Sequence, residues 1–200
     1  MNQKLSYFLL VAAAFSFSCN NSSTNETTSD TTTTTTTAAP TTTDTAQTAA
    51  PAQSSTPFEK EDSTFVMKAA IGGLEEVASG NLAQQNAVNQ RVKDFGAMMV
   101  RDHSKANDEL KALAARHGLS IPDSLPAEKQ KHQQAMQKMK GKAFDNHYVQ
   151  MMLTDHKKDV AEFEKQSQSA KDNDLKTWAT NTLPVLKTHL DSIQAISKSH

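Results

Sequence analysis

From residue 58 onward, apolar side chains return every three or four positions, and no useful length alternates with the period of two expected of a half-buried strand. The pattern predicts four long helices, over residues 63–87, 89–117, 142–169 and 172–197, and a shorter one over 127–140. Ser63 offers an N-cap for the first helix. Gly118 supplies a stop for the second, with Pro122 and Pro126 beyond it, and Gly141 ends the short one. Each long helix has about 25 residues, roughly 38 Å at 1.5 Å per residue. Four amphipathic helices of matched length predict an all-α fold, a four-helix bundle.

The links within the first and last pairs of long helices are short, so each pair is antiparallel. Between the second and third long helices lies a helix of about 14 residues, roughly 21 Å long, enough to cross much of the bundle. Such a crossover makes those two helices parallel, the ferritin-like arrangement. A repeat agrees with it. Phe95, Met98, Met99, Asp102, His103, Lys105, Glu109 and Leu110 recur 53 positions later as Tyr148, Met151, Met152, Asp155, His156, Lys158, Glu162 and Phe163. A single offset implies two helices with equivalent places in one fold. The paired methionines read as core filler. Pro184 falls within the last helix, where its missing donor is expected to kink the chain one turn before His189.

Each long helix carries one chemically active side chain on its apolar stripe. His103 lies with Met99, Ala106 and Leu110; His156 with Met152, Val160 and Phe163; His189 with Val185, Leu186 and Ile193. Glu76 lies in a strip of small residues, Ala69, Gly73, Gly80 and Ala83, that would let another helix approach closely. All four fall within about a turn of mid-helix, so they can converge at one level. Three imidazoles and a carboxylate suit one transition metal, zinc, iron, copper or nickel. Asn107 and Asp159, four and three residues beyond His103 and His156, are candidates to hold the second ring nitrogens. Asp102 and Asp155 point about 100° away and are expected at helix seams, pairing with a neighbouring Lys or Arg. The same cluster also fits a structural layer, satisfied by its own hydrogen bonds, that fixes helix register. The remaining histidines, His117, His132, His147 and His200, lie near termini or on polar faces and are expected in solvent.

The start of the chain changes the picture from fold to location. Lys4 precedes an apolar stretch over residues 5–17, the length of a signal-peptide core and too short to span a bilayer. It ends in Ser16, Phe17, Ser18 and Cys19, which resembles a lipoprotein cleavage box except for Ser16 and the bulky Phe17. Cys19 is the single cysteine, so no intramolecular disulfide is available. The expectation is a signal peptide over residues 1–18, lipidation of Cys19 and anchoring to a bacterial membrane, against an ordinary secretory signal with a chance cysteine. Residues 19–57 are Thr, Ser, Ala and Pro rich, with seven consecutive threonines at 31–37. Their composition predicts a disordered tether. The helical domain then occupies residues 58–200, with 20 Lys and Arg against 19 Asp and Glu. That balance gives no basic stripe for nucleic acid and no polybasic block for lipid headgroups.

Four phrases in order, GGLEEVASGNLA (72–83), FGAMMVRDHSKANDEL (95–110), MLTDHKKDVAEFE (152–164) and LPVLKTHL (183–190), resemble the bacterial envelope family named domain of unknown function 4142. The resemblance spans nearly all of residues 65–196. It implies a ferritin-like fold, an exported or outer-membrane location, and Glu76, Asp102, His103, His156 and His189 as recurring polar positions. It implies no activity.

Ferritin-like di-iron sites draw Glu-x-x-His from two of their helices. Here the residues three before His103, His156 and His189 are Val100, Leu153 and Leu186, so a two-iron carboxylate cage is not expected. Three readings stand: an envelope lipoprotein that binds a metal or a protein partner, a structural or stress-related bundle, and a metal-dependent oxidoreductase or hydrolase.

Overall fold

The computed structural model describes residues 56–199. The expected signal peptide, the lipidation position Cys19 and all but the end of the Thr-rich tether lie outside the described residues, as does His200. Within them the regular structure is helical: α1 Lys60–Asn86, α2 Gln90–Arg116, α3 Ala127–Lys138, α4 Gly141–Ser169 and α5 Asn173–Lys198. No helix among the described residues is long and apolar enough to cross a membrane.

Local chemistry explains the boundaries. Asn89 caps α2 by accepting from the Arg91 amide, and Asp172 caps α5 by accepting from the Leu175 amide. Gly118 takes φ +68°, while the Leu119 amide donates back to the Ala114 carbonyl at 2.9 Å, closing α2 as expected. Two expectations shift. The first helix begins at Lys60, before Ser63, whose hydroxyl donates to the Phe58 carbonyl instead of capping. Gly141, with φ +63°, opens α4, and α3 already stops at Lys138. Helix α5 continues through Pro184. Val185, expected on the inner face, is 40% exposed, while Leu186, His189 and Ile193 are buried.

Contacts at the two ends fix the directions. At one end Arg116, finishing α2, meets Asp174 at the start of α5. There too Asp62, near the start of α1, accepts from the Lys171 and Asp172 amides after α4. At the other, Arg91 at the start of α2 meets Ser199 after α5. Beside it Asp145, near the start of α4, accepts from Val88 and Asn89 between α1 and α2. Helices α2 and α4 therefore run in parallel and α1 and α5 oppose them, with α3 as crossover: the ferritin-like four-helix bundle. Helix α1 packs chiefly on α2, and α4 on α5, while α1 also touches α4 and α2 touches α5.

The small-residue strip of α1 meets α2 backbone to backbone. A Cβ on Gly80 would lie 2.6 Å from the Gly96 carbonyl oxygen, and one on Gly96 would lie 2.7 Å from the Gly80 oxygen. The core divides into two clusters. One gathers Phe65, Leu110, Phe163, Leu175 and Trp178; the other gathers Phe95, Met99, Phe144, Tyr148, Met152 and Ile193. Along α2, α4 and α5 a histidine separates the two: His103 between Met99 and Leu110, His156 between Met152 and Phe163, His189 between Leu186 and Ile193.

Candidate metal centre

The dividing layer contains Glu76, His103, His156 and His189, all buried. Parallel packing of α2 and α4 brings the two repeated histidines to one level, with ring centroids 5.9 Å apart. His189 completes the triangle, 5.3 Å from the His103 ring and 5.4 Å from the His156 ring. One nitrogen from each of the three lies within 4.8 Å of the others. The Phe95 ring makes T-shaped contacts with those of His156 and His189, centroids 5.9 and 6.4 Å apart, giving the layer an apolar side.

Each imidazole is held at the other nitrogen. His156 Nδ1 lies 3.0 Å from the Met152 carbonyl oxygen. A carbonyl only accepts, so Nδ1 carries the hydrogen and neutral His156 keeps a lone pair on Nε2. His189 Nε2 sits 2.9 Å from Asp102 Oδ2, which leaves its lone pair on Nδ1. His103 Nδ1 lies 2.9 Å from Glu76 Oε2; donation to that oxygen leaves the lone pair on Nε2. His156 Nε2 and His189 Nδ1 then face each other at 3.4 Å as two acceptors. Two nitrogens bound at 2.0–2.1 Å to one tetrahedral ion would stand about 3.4 Å apart. Two buried atoms of the layer, His103 Nε2 and Glu76 Oε1, lack a hydrogen-bond partner among the described residues. Glu76 Oε1 lies 3.5 Å from His156 Nε2. Three lone pairs, a spare carboxylate oxygen and an anchor behind every imidazole are what a histidine-rich cation site requires.

Burial disfavours charge on the rings. It pushes His103, His156 and His189 down to about 4, aided by repulsion from His103 and His189 at His156 and from His103 at His189. All three are therefore neutral near pH 7, the form that binds metal. Glu76 is pushed up to about 7, first by burial and then by Asp155 and Glu75, against the pull of His156. Asp159 rises to about 8 through burial and the nearby Glu76 and Asp155. Burial works against the Asp102 carboxylate too, yet hydrogen bonds from Arg101 and His189 hold it below its ordinary value.

The outer candidates divide. Asp102 pairs with Arg101, as expected at a seam, and also anchors His189 across it. Asn107 packs over Gly73, and Glu76 takes the His103 hydrogen that Asn107 was expected to accept. Asp159 does not hold His156 Nδ1, which Met152 occupies, but has an oxygen within 4.8 Å of Glu76 and of one His156 nitrogen. Asp155 is raised above its ordinary value by burial and by Glu75, against the pull of Lys129 and Lys158. A cleft of about 250 Å³ lies over this region, walled by Phe65, Phe163, Trp178 and Leu186 and reaching Glu76, His103, Asn107 and Asp159.

Some histidines depart from expectation. His117 is buried, with Phe58 stacked on its ring at 4.0 Å and its Nδ1 2.8 Å from the Thr56 carbonyl oxygen. His132 and His147 are half-buried and meet each other at 3.3 Å, with His132 also 3.3 Å from the buried Glu75. They come from different helices, and no spacing within one helix could have paired them.

The model of the family described as Domain of unknown function (DUF4142) matches residues 28–196. The chain belongs to that family. Among solved structures it is similar to a DUF305 fragment from Deinococcus radiodurans, at 8% sequence identity and a TM-score of 0.62, covering 72% of this chain and 99% of that one. At that identity the likeness shows the shared fold alone. A search of curated proteins found no match.

Proposed function

We propose that this DUF4142 chain is an exported, lipid-anchored protein of the bacterial envelope whose bundle binds one transition metal through His103, His156 and His189, with Glu76 as a further oxygen donor. One observation carries the metal reading: three neutral imidazoles turn their lone pairs to one buried place, each fixed from behind by a different acceptor. Imidazole-rich donors favour zinc, copper, nickel or iron over magnesium or calcium. When bound, such an ion would supply Lewis acidity or, for iron or copper, electron transfer. The chain's own part is to hold the donors neutral and oriented. The cleft over Glu76 and His103 gives small molecules a path, which keeps metal-dependent oxidoreductase chemistry as an alternative.

A structural layer is the second reading, favoured by the 2.9 Å contacts that Glu76 and Asp102 already make. Metal analysis separates the two. Untagged full-length protein from metal-replete cells is expected to retain about one core ion per chain, lost in His103→Ala/His156→Ala. Unchanged metal content in the double variant would refute the ligand set. A metal-free parent with a variant weaker by roughly 1–3 kcal/mol would make the layer structural.

The envelope location rests on the apolar stretch before Cys19 and on that lone cysteine. Cys19→Ser is expected to move the protein from the membrane fraction to the soluble one. Retention in the membrane would reject the lipid anchor.

A further inference from the structure

We infer that His132 and His147 form a second, outer metal site for a borderline divalent transition-metal cation, separate from the buried layer. His132 Nε2 and His147 Nε2 stand 3.3 Å apart, with ring centroids at 5.6 Å and planes inclined by 64°. Two imidazole nitrogens on one tetrahedral ion, bound at 2.0–2.1 Å, are separated by about 3.3–3.4 Å. The pair therefore needs little movement to share a cation.

The other side of His132 is built for the same purpose. Its Nδ1 lies 3.3 Å from Oε1 of Glu75, a carboxylate 7% exposed. Donation of the Nδ1 hydrogen to Glu75 puts the lone pair on Nε2, facing His147. A carboxylate behind a ligating histidine also raises its basicity. Lys129 holds the second oxygen of Glu75 at 2.6 Å and so fixes the carboxylate. The His132 side chain is 36% exposed, which leaves water free to fill the remaining coordination positions.

The placement gives the ion a task. The crossover helix α3 buries only Met136. Its His132, joined through a cation to His147 of α4 and braced by Glu75 of α1, would pin the crossover to both helices. Glu75 and Lys129 also line the cleft that reaches the buried layer, so the outer ion would sit beside that cleft.

The rival account is a plain hydrogen bond in which the His147 Nε2 hydrogen is donated to His132. Zn²⁺ distinguishes them. Metal-stripped full-length protein, with Cys19→Ser to remove the thiol, is titrated with Zn²⁺ by calorimetry and checked by equilibrium dialysis. His132→Ala, His147→Gln, Glu75→Gln and His156→Ala are run beside it, with circular dichroism to confirm folding.

The expected result is two classes of site. His147→Gln and His132→Ala should each remove one class and leave the other, and Glu75→Gln should weaken that class about tenfold or more. His156→Ala should remove only the other class. A single class lost in His156→Ala and untouched in His147→Gln would overturn the outer site. A single class lost in His147→Gln and untouched in His156→Ala would uphold it and reject the core metal reading instead. Absence of any Zn²⁺ binding would overturn both.

Discussion

Asp62→Ala is expected to destabilise the fold by about 3–5 kcal/mol, among the largest losses available to a single substitution here. Asp62 is 1% exposed and accepts three hydrogen bonds, from Gln166 Nε2 at 2.7 Å, the Lys171 amide at 3.0 Å and the Asp172 amide at 2.9 Å. Hydrogen bonds to a charged acceptor contribute roughly 1.5–3 kcal/mol each, and buried donors left without a partner add to the loss. Asp145, also 1% exposed, does the same for the Val88 and Asn89 amides at the other end of the bundle. Each hairpin turn is thus held by a carboxylate from the opposite hairpin. Asp62→Asn should recover part of the loss, since an amide keeps one acceptor oxygen but turns an N–H₂ group towards the remaining donors. Urea denaturation of Asp62→Ala, Asp145→Ala and the double variant tests this. The two losses should add, because the sites are far apart. A loss below about 1 kcal/mol for Asp62→Ala would show that water replaces the carboxylate and that the tie is dispensable.

The metal-free protein is expected to be most stable in a narrow window near pH 6–7. Below it the histidines act. Their folded values near 4 lie under the ordinary 6.5, so the unfolded chain takes up protons first and stability falls as pH drops from about 6.5 towards 4. One imidazole held neutral accounts for about 3 kcal/mol over that interval. The carboxyls have the opposite sign. Glu76 near 7 and Asp159 near 8 are raised above their ordinary values, so their contribution is complete at low pH and disappears as pH rises through 7 and 8. Between about pH 4.5 and 6.5 the two effects oppose, with three imidazoles outweighing two carboxyls. A bound cation should remove the alkaline fall, because ionised Glu76 then faces positive charge. The gap between metal-loaded and metal-free melting temperatures should therefore widen from pH 5 to pH 8. A flat metal-free profile from pH 6.5 to 9 would contradict the burial of Glu76 and Asp159 as the source of the effect.

The architecture was legible because helical spacing and the repeat at 95–110 and 148–163 are local signals. They placed Glu76, His103, His156 and His189 on inward faces before any packing was known, and the structure brings those four together. The anchors were less legible. Which acceptor meets an imidazole's far nitrogen depends on the rotation of a neighbouring helix, so Asp102 could be placed at a seam without its bond to His189 being foreseen. Asn107 has suitable i+4 spacing, yet the close approach over Gly73 claims it. Asp62, Asp145 and Glu75 carry no local mark of burial in the sequence. Their burial comes from turns and a crossover helix contributed by distant segments, which no periodicity within one helix records.

The contact between Gly80 and Gly96 bears on how such a chain can diverge. A crowded pair of side chains can drift, since enlarging one is offset by trimming the other. Here a methyl on either residue meets the partner's carbonyl oxygen, and no codon alters a carbonyl. Neither position can rescue the other. The α1–α2 seam should therefore act as a fixed datum around which the remaining surface varies, carrying Glu76 and His103 unchanged in register while their surroundings are rewritten.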